Sequence, residues 1–167
     1  SIAHGFSSDF ISSTMLALAR PDAPSPRASI SAASALLVGP GLTAAGIEGG
    51  ENFPKWPEEK RLAFLNAELK SNRPFLHDGT RIGQYADNVL DTYRVLVRHR
   101  QDWGSEGLGS LIVSMTRQLS DLLAVYLLAR EAGLMTHSSE GMACPLPVVP
   151  LFETMDDLHN SPGILAA

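Results

Sequence analysis

From Trp56 onward, apolar positions recur with helical spacing in three places. Leu62, Leu65 and Leu69 share one face, with Pro57 at the first helical position, Glu58 and Glu59 at the positive end of the helix dipole, and Pro74 as the stop. Residues 82–99 carry a second stripe, Val89, Tyr93, Leu96 and Val97, opposite a polar face of Asp87, Asp91, Arg94 and Arg98 that reads as solvated. "LSDLLAVYLLAREAG" is apolar on most faces and predicts a buried helix, with Gly133 at its C-cap. Two short runs lack this period. "SLIVSMT" (110–116) and "PLPVVPLF" (145–152) are apolar and bounded by Gly, Pro or hydroxyl residues, which predicts two buried strands. Prolines 147 and 150 remove ladder donors, yet a helix fits that segment worse. The "THSSEGMAC" stretch between helix and second strand predicts a loop. Strand, helix and strand joined by one long crossover predict a βαβ unit over 110–152, parallel and right-handed. The expected fold class is α/β and predominantly helical.

The first fifty residues differ. Ser, Ala, Gly and Pro fill 29 of those positions and charges are few, so residues 1–50 are expected to be a helical or irregular segment distinct from 51–167. Phe10, Ile11, Thr14, Met15 and Leu18 predict one helix, "RPDAPSPR" an extended linker, and "SISAASALLVGPG" a short helix broken at Gly39-Pro40-Gly41. The chain begins at Ser1, and the expectation is a piece of a larger protein.

Composition narrows the function classes. Hydrophobic residues make up 44% of the 167 and charged residues 19%, which suits a packed core. A net charge of −5 with scattered Lys and Arg leaves no electrostatic footprint for nucleic acid or for an anionic membrane surface. The longest apolar run, Leu122 to Ala129, is too short to span a bilayer. With Cys144 alone no intrachain disulfide can form, which points to a reducing compartment.

Chemistry is suggested at one place. In "PLPVVPLFETMDDL" an apolar strand ends at Glu153, followed by Asp156 and Asp157. Thr154 and Asp157 have capping-box spacing, and Asp156 suits the helix dipole, so both aspartates are accounted for by the next helix. Glu153 is not. It stands at the C-terminal end of a strand, where parallel α/β sheets and barrels carry their active faces, although a loop-pinning acid would look the same. Thr116 and Arg117 occupy the corresponding place after the first strand, with the plainer reading that Thr116 or Ser120 caps the next helix. His99 reads as a surface residue at a helix end, and His4, His77, His137 and His159 have no ligand partner at metal-binding spacing. There is no phosphate loop, Ser–His–Asp arrangement or nucleophile elbow.

Three blocks in order, "WPEEKRLAFLNAELKSNRPF" with "ADNVLDTYRVL", then "LIVSMTRQLSDLLAVYLLAREAGL", then "CPLPVVPLFETMDDLHNSPGIL", resemble the phosphoenolpyruvate carboxylases across residues 53–167. The family's Asp-Ile-Arg-Gln signature upstream of the Trp56 helix is absent. The resemblance implies a fragment of a large, mostly helical enzyme built around a (β/α)₈ barrel. It implies addition of bicarbonate to phosphoenolpyruvate, giving oxaloacetate and phosphate, with Mg²⁺ or Mn²⁺. It further implies a cytoplasmic homo-oligomer with no nucleic-acid or membrane partner. By position Glu153 matches the metal-binding glutamate of the family's "PLFET" motif, with Thr116 and Arg117 as active-face candidates. The family's second metal carboxylate, substrate-binding arginine loop and catalytic His have no counterpart here.

Two other expectations stand beside this one. A non-catalytic helical interaction module derived from the family would carry the same blocks. An unrelated small α/β enzyme could use Glu153 as acid or base, but would need polar groups converging on it, and the sequence offers Thr116 and Arg117 alone.

Overall fold

The structure, a computed structural model, describes residues 31–77, 79–104, 108–139 and 141–166. The helix expected around Phe10–Leu18, the proline-rich linker and His4 lie outside them.

Helix α4 (Leu119–Glu131) is the axis of the fold, because its apolar residues face two ways. Ala124 and Leu127 join Val38, Leu42, Phe53 and Leu65 in one buried cluster. Val125, Leu128 and Ala129 join Leu90, Tyr93, Leu134 and Leu146 in another. The first cluster is closed by α1 (Ser31–Ala44), a 3₁₀ turn (Gly50–Lys55) and α2 (Glu58–Glu68). The second is closed by α3 (Gln84–Trp103). Helix α4 ends as its glycine predicts. Gly133, at φ 78°, lets Leu134 N–H reach Ala129 O at 2.8 Å and Gly133 N–H reach Arg130 O at 2.9 Å.

Several expectations need correction. Helix α1 is not broken at Gly39-Pro40-Gly41 but runs through Pro40. Packing holds it there. A Cβ on Gly39 would lie 3.2 Å from Gly50 O, and one on Gly50 only 2.5 Å from Leu42 Cβ, so bare backbones let α1 and the 3₁₀ turn touch. Pro57 is the N-cap of α2, one residue outside the helix. Asp87 is not on a solvated face: it is buried and accepts the Ile82 N–H at 3.0 Å. The "THSSEGMAC" stretch is no loop but a hairpin, β2 (Thr136–Ser138) antiparallel to β3 (Gly141–Ala143).

The two expected strands are present, parallel and adjacent. β1 (Leu111–Val113) pairs with β4 (Val148–Pro150) in the register Ile112↔Val149. They are covered on one face rather than both. Leu111, Val113 and Val148 pack on the second cluster, while Ile112, Val149 and Leu151 are exposed. The prolines fit for a geometric reason. Leu111 N–H reaches Pro147 O at 2.8 Å and Leu151 N–H reaches Val113 O at 2.9 Å, so the odd-numbered residues of this strand bond to β1. Pro147 is needed as an acceptor, and the missing N–H of Pro150 falls on the other edge.

Candidate functional site

Both strands deliver their C-terminal ends to one place. After β1 the chain turns at Met115, whose φ of 53° is the only positive φ on a non-glycine among the described residues. That left-handed turn swings Thr116 N–H onto Leu151 O at 3.1 Å, tying the β1 exit to the β4 exit. Such a conformation costs a bulky side chain about 1–2 kcal/mol and marks an over-determined segment. Nothing in the sequence points to Met115.

Of the expected site residues, Thr116 is fully buried, and its hydroxyl donates to Val113 O at 3.0 Å. It pins the turn. Ser120 is equally engaged, its N–H and hydroxyl donating to the two Glu58 oxygens at 3.0 and 2.6 Å. Neither hydroxyl therefore caps α4. The cap residue is Gln118, and Asp121 Oδ2 accepts the Arg117 and Gln118 N–H groups, each at 3.0 Å. Burial pushes the Asp121 carboxyl up, against the pull of those N–H groups and of Arg61. Arg61, itself buried, bridges Glu58 at 2.9 Å and Gln118 Oε1, so α2 holds the entrance of α4.

After β4, α5 (Met155–Leu165) starts with Thr154 as N-cap, its Oγ1 accepting the Asp157 N–H at 3.1 Å. Only this half of the expected capping box forms. The Asp157 carboxylate is buried and faces Arg117, with Oδ1 3.8 Å from Arg117 Nε. Its other oxygen, Oδ2, has no hydrogen-bond partner among the described residues, an omission that costs about 1–3 kcal/mol for a buried acceptor. Asp156 is exposed in the first turn, as the dipole reading expects.

Glu153 is not the last residue of its strand, which ends at Pro150 with Leu151 still bonded to Val113; it lies in the link to α5, between these fixed points, and is exposed. It enters no hydrogen bond or ion pair among the described residues, and the Thr154 hydroxyl rather than Glu153 caps α5. A free carboxylate just beyond a strand end suits a hard cation, which takes oxygen ligands. It supplies one of the roughly six such an ion needs. Among the described residues no three His, Cys, Asp or Glu side chains gather into a metal cluster. Among the described residues the histidines join no such cluster: His77 and His137 are exposed, and His159 Nδ1 contacts Met155 O at 2.8 Å.

A sequence model for phosphoenolpyruvate carboxylase matches residues 42–167. Phosphoenolpyruvate carboxylase 4 of Arabidopsis thaliana is 45% identical over 110 residues, covering 64% of this chain and 10% of its own length. Phosphoenolpyruvate carboxylase 1 of Chlamydomonas reinhardtii is 41% identical over 114 residues, with 68% and 10% covered. The phosphoenolpyruvate carboxylase of Mycobacterium avium is 37% identical over 116 residues, with 70% and 12% covered. The chain spans about a tenth of the length of these relatives.

Proposed function

The chain belongs to the phosphoenolpyruvate carboxylase family, and on that premise we propose that it is part of an enzyme adding bicarbonate to phosphoenolpyruvate. The products are oxaloacetate and phosphate. In this reading β1, α4 and β4 form one unit of a (β/α)₈ barrel within residues 51–167, with α1 laid against it. The assembled enzyme is a cytoplasmic homo-oligomer. No described helix is long and apolar enough to cross a membrane.

One observation carries the proposal: Glu153 is exposed just beyond the end of β4 with its carboxylate uncommitted, while the nearby Thr116 and Thr154 hydroxyls are engaged by the backbone and Asp157 faces Arg117. Glu153 would hold one coordination position of a Mg²⁺ or Mn²⁺ ion. When bound, such an ion offsets negative charge that develops on the substrate oxygen as phosphate leaves. The chain's own residues supply placement. Thr116 and Met115 fix the turn beside β4, Arg117 presents a cation on the same rim, and Thr154 sets where the Glu153 backbone enters α5.

The test is Glu153→Gln in the full-length enzyme. The amide is nearly isosteric, so the fold and the α5 cap persist, while the charge that holds the ion is gone. Turnover should fall by two orders of magnitude or more, with a raised Mn²⁺ requirement. Normal turnover at the usual metal concentration would refute the role of Glu153.

A further inference from the structure

The loops leaving β1 and β4 are joined by more than the strand ladder. Arg117 Nε and Asp157 Oδ1 face each other across them at 3.8 Å, with side chains 21% and 9% exposed. Each member is anchored separately. Arg117 N–H donates to Asp121 Oδ2 at 3.0 Å, and Asp157 N–H donates to Thr154 Oγ1 at 3.1 Å. Capping α5 requires the hydroxyl of Thr154 and the backbone of Asp157, not the Asp157 carboxylate. That carboxylate is nonetheless buried, with Oδ2 unpartnered among the described residues. A buried charge is retained where the helix does not need it, and the group it faces is on the other loop.

We propose that the Arg117–Asp157 pair is a brace that holds Glu153 in place. Glu153 sits between Leu151, the last residue of this strand bonded to the β1 loop, and Thr154, whose position Asp157 sets. Phe152 and Glu153 are therefore steadied from both sides only while Asp157 is steadied by Arg117. Because the pair is largely withdrawn from water, salt screens it less than a surface pair. Its value for metal binding rests on the reading of Glu153 as a ligand, since groups behind a ligand tune affinity by fixing its direction. Arg117 and Asp157 are positioning residues in this scheme.

The experiment uses the 167-residue chain with Asp157→Asn, Arg117→Met and the conservative Arg117→Lys, each checked for folding by circular dichroism. Asp157→Asn keeps the N–H that Thr154 accepts, so the cap survives. ¹⁵N relaxation at the Glu153 and Thr154 amides should give order parameters near ~0.85 in the unaltered chain and below ~0.6 in Asp157→Asn and Arg117→Met. The amides of residues 158–161 should be unchanged and the Lys variant intermediate. Unchanged order at Glu153 in a folded Asp157→Asn chain overturns the brace. A second arm follows Mn²⁺ broadening of the same amides, with Glu153→Gln as reference. The midpoint should rise on the order of tenfold in the brace variants. Abolished broadening in Glu153→Gln with unshifted brace variants would sink the brace and keep the ligand. Lost order in the brace variants with Glu153→Gln still broadened would keep the brace and sink the ligand.

Discussion

Replacing Arg130 by Met should be strongly destabilising. Arg130 is 2% exposed, and its guanidinium meets four acceptors. Nη1 donates to Glu68 O and to Ser71 O at 3.1 Å, and Nη2 to Glu68 Oε2 at 3.2 Å and Glu131 Oε1 at 2.8 Å. Glu131, its side chain 1% exposed, passes the connection on by accepting the Phe75 and Leu76 N–H groups at 3.0 and 2.9 Å. The pair thus staples the end of α2 and the following loop to α4. Met fills similar volume but leaves a buried carboxylate without its counter-ion, a loss of about 3–5 kcal/mol. Adding Glu131→Gln should recover about 1–3 kcal/mol relative to the sum of the single changes. Urea unfolding at pH 7 measures both. Burial already pushes the Glu131 carboxyl above its ordinary 4.5, against the pull of Arg130 and the loop amides. A raised folded value means the folded chain binds the proton more readily. The stability this group contributes is then complete below about 4.5 and is lost as pH rises through the folded value. Without Arg130 the upward push should grow, so the Met variant should regain part of its deficit on acidification. A cost under ~1 kcal/mol, additive single changes, or a deficit independent of pH would refute the staple.

Gly133→Ala should cost about 1 kcal/mol in the same urea assay, since nothing crowds its Cβ and only the φ of 78° opposes the substitution. Ser120→Ala should cost ~1–2 kcal/mol by removing the 2.6 Å bond to a Glu58 oxygen, which keeps Arg61 as partner. The 167-residue chain alone should produce no oxaloacetate in a coupled assay, because one carboxylate cannot complete an octahedral ion site. Measurable production would mean that ligands here have gone unrecognised.

Much of this was legible in the sequence where side-chain period and burial agree. The stripes at Leu62–Leu69 and Val89–Val97 gave α2 and α3, and two aperiodic apolar runs around a helix gave the parallel β1–β4 pair. Glu153 stood out because Thr154 and the aspartates had evident work in α5. What the sequence hid depends on residues distant along the chain. Pro40 is carried inside α1 by contacts with the 3₁₀ turn. Asp157 looked like half of a capping box, but its carboxylate is drawn to Arg117, forty residues away. The β2–β3 hairpin pairs the polar Thr136–Ser138 with Gly141–Ala143, three residues on each side, with Thr136 Oγ1 donating to Ala143 O at 3.1 Å, and so gives no apolar alternation. Arg130 and Glu131 look like an ordinary charged helix end until the loop at 71–76 folds over them.

Pro150 gives the small sheet a direction. On the side of β4 away from β1, Val148 offers both backbone groups but Pro150 only a carbonyl, so a strand arriving there finds an incomplete template. The far side of β1, at Ile112, carries both groups and an uncovered apolar side chain. Accidental pairing between molecules, as in concentrated stocks or during refolding, should therefore begin at β1. A single charged residue at Ile112 would be the economical way to keep the isolated chain monodisperse.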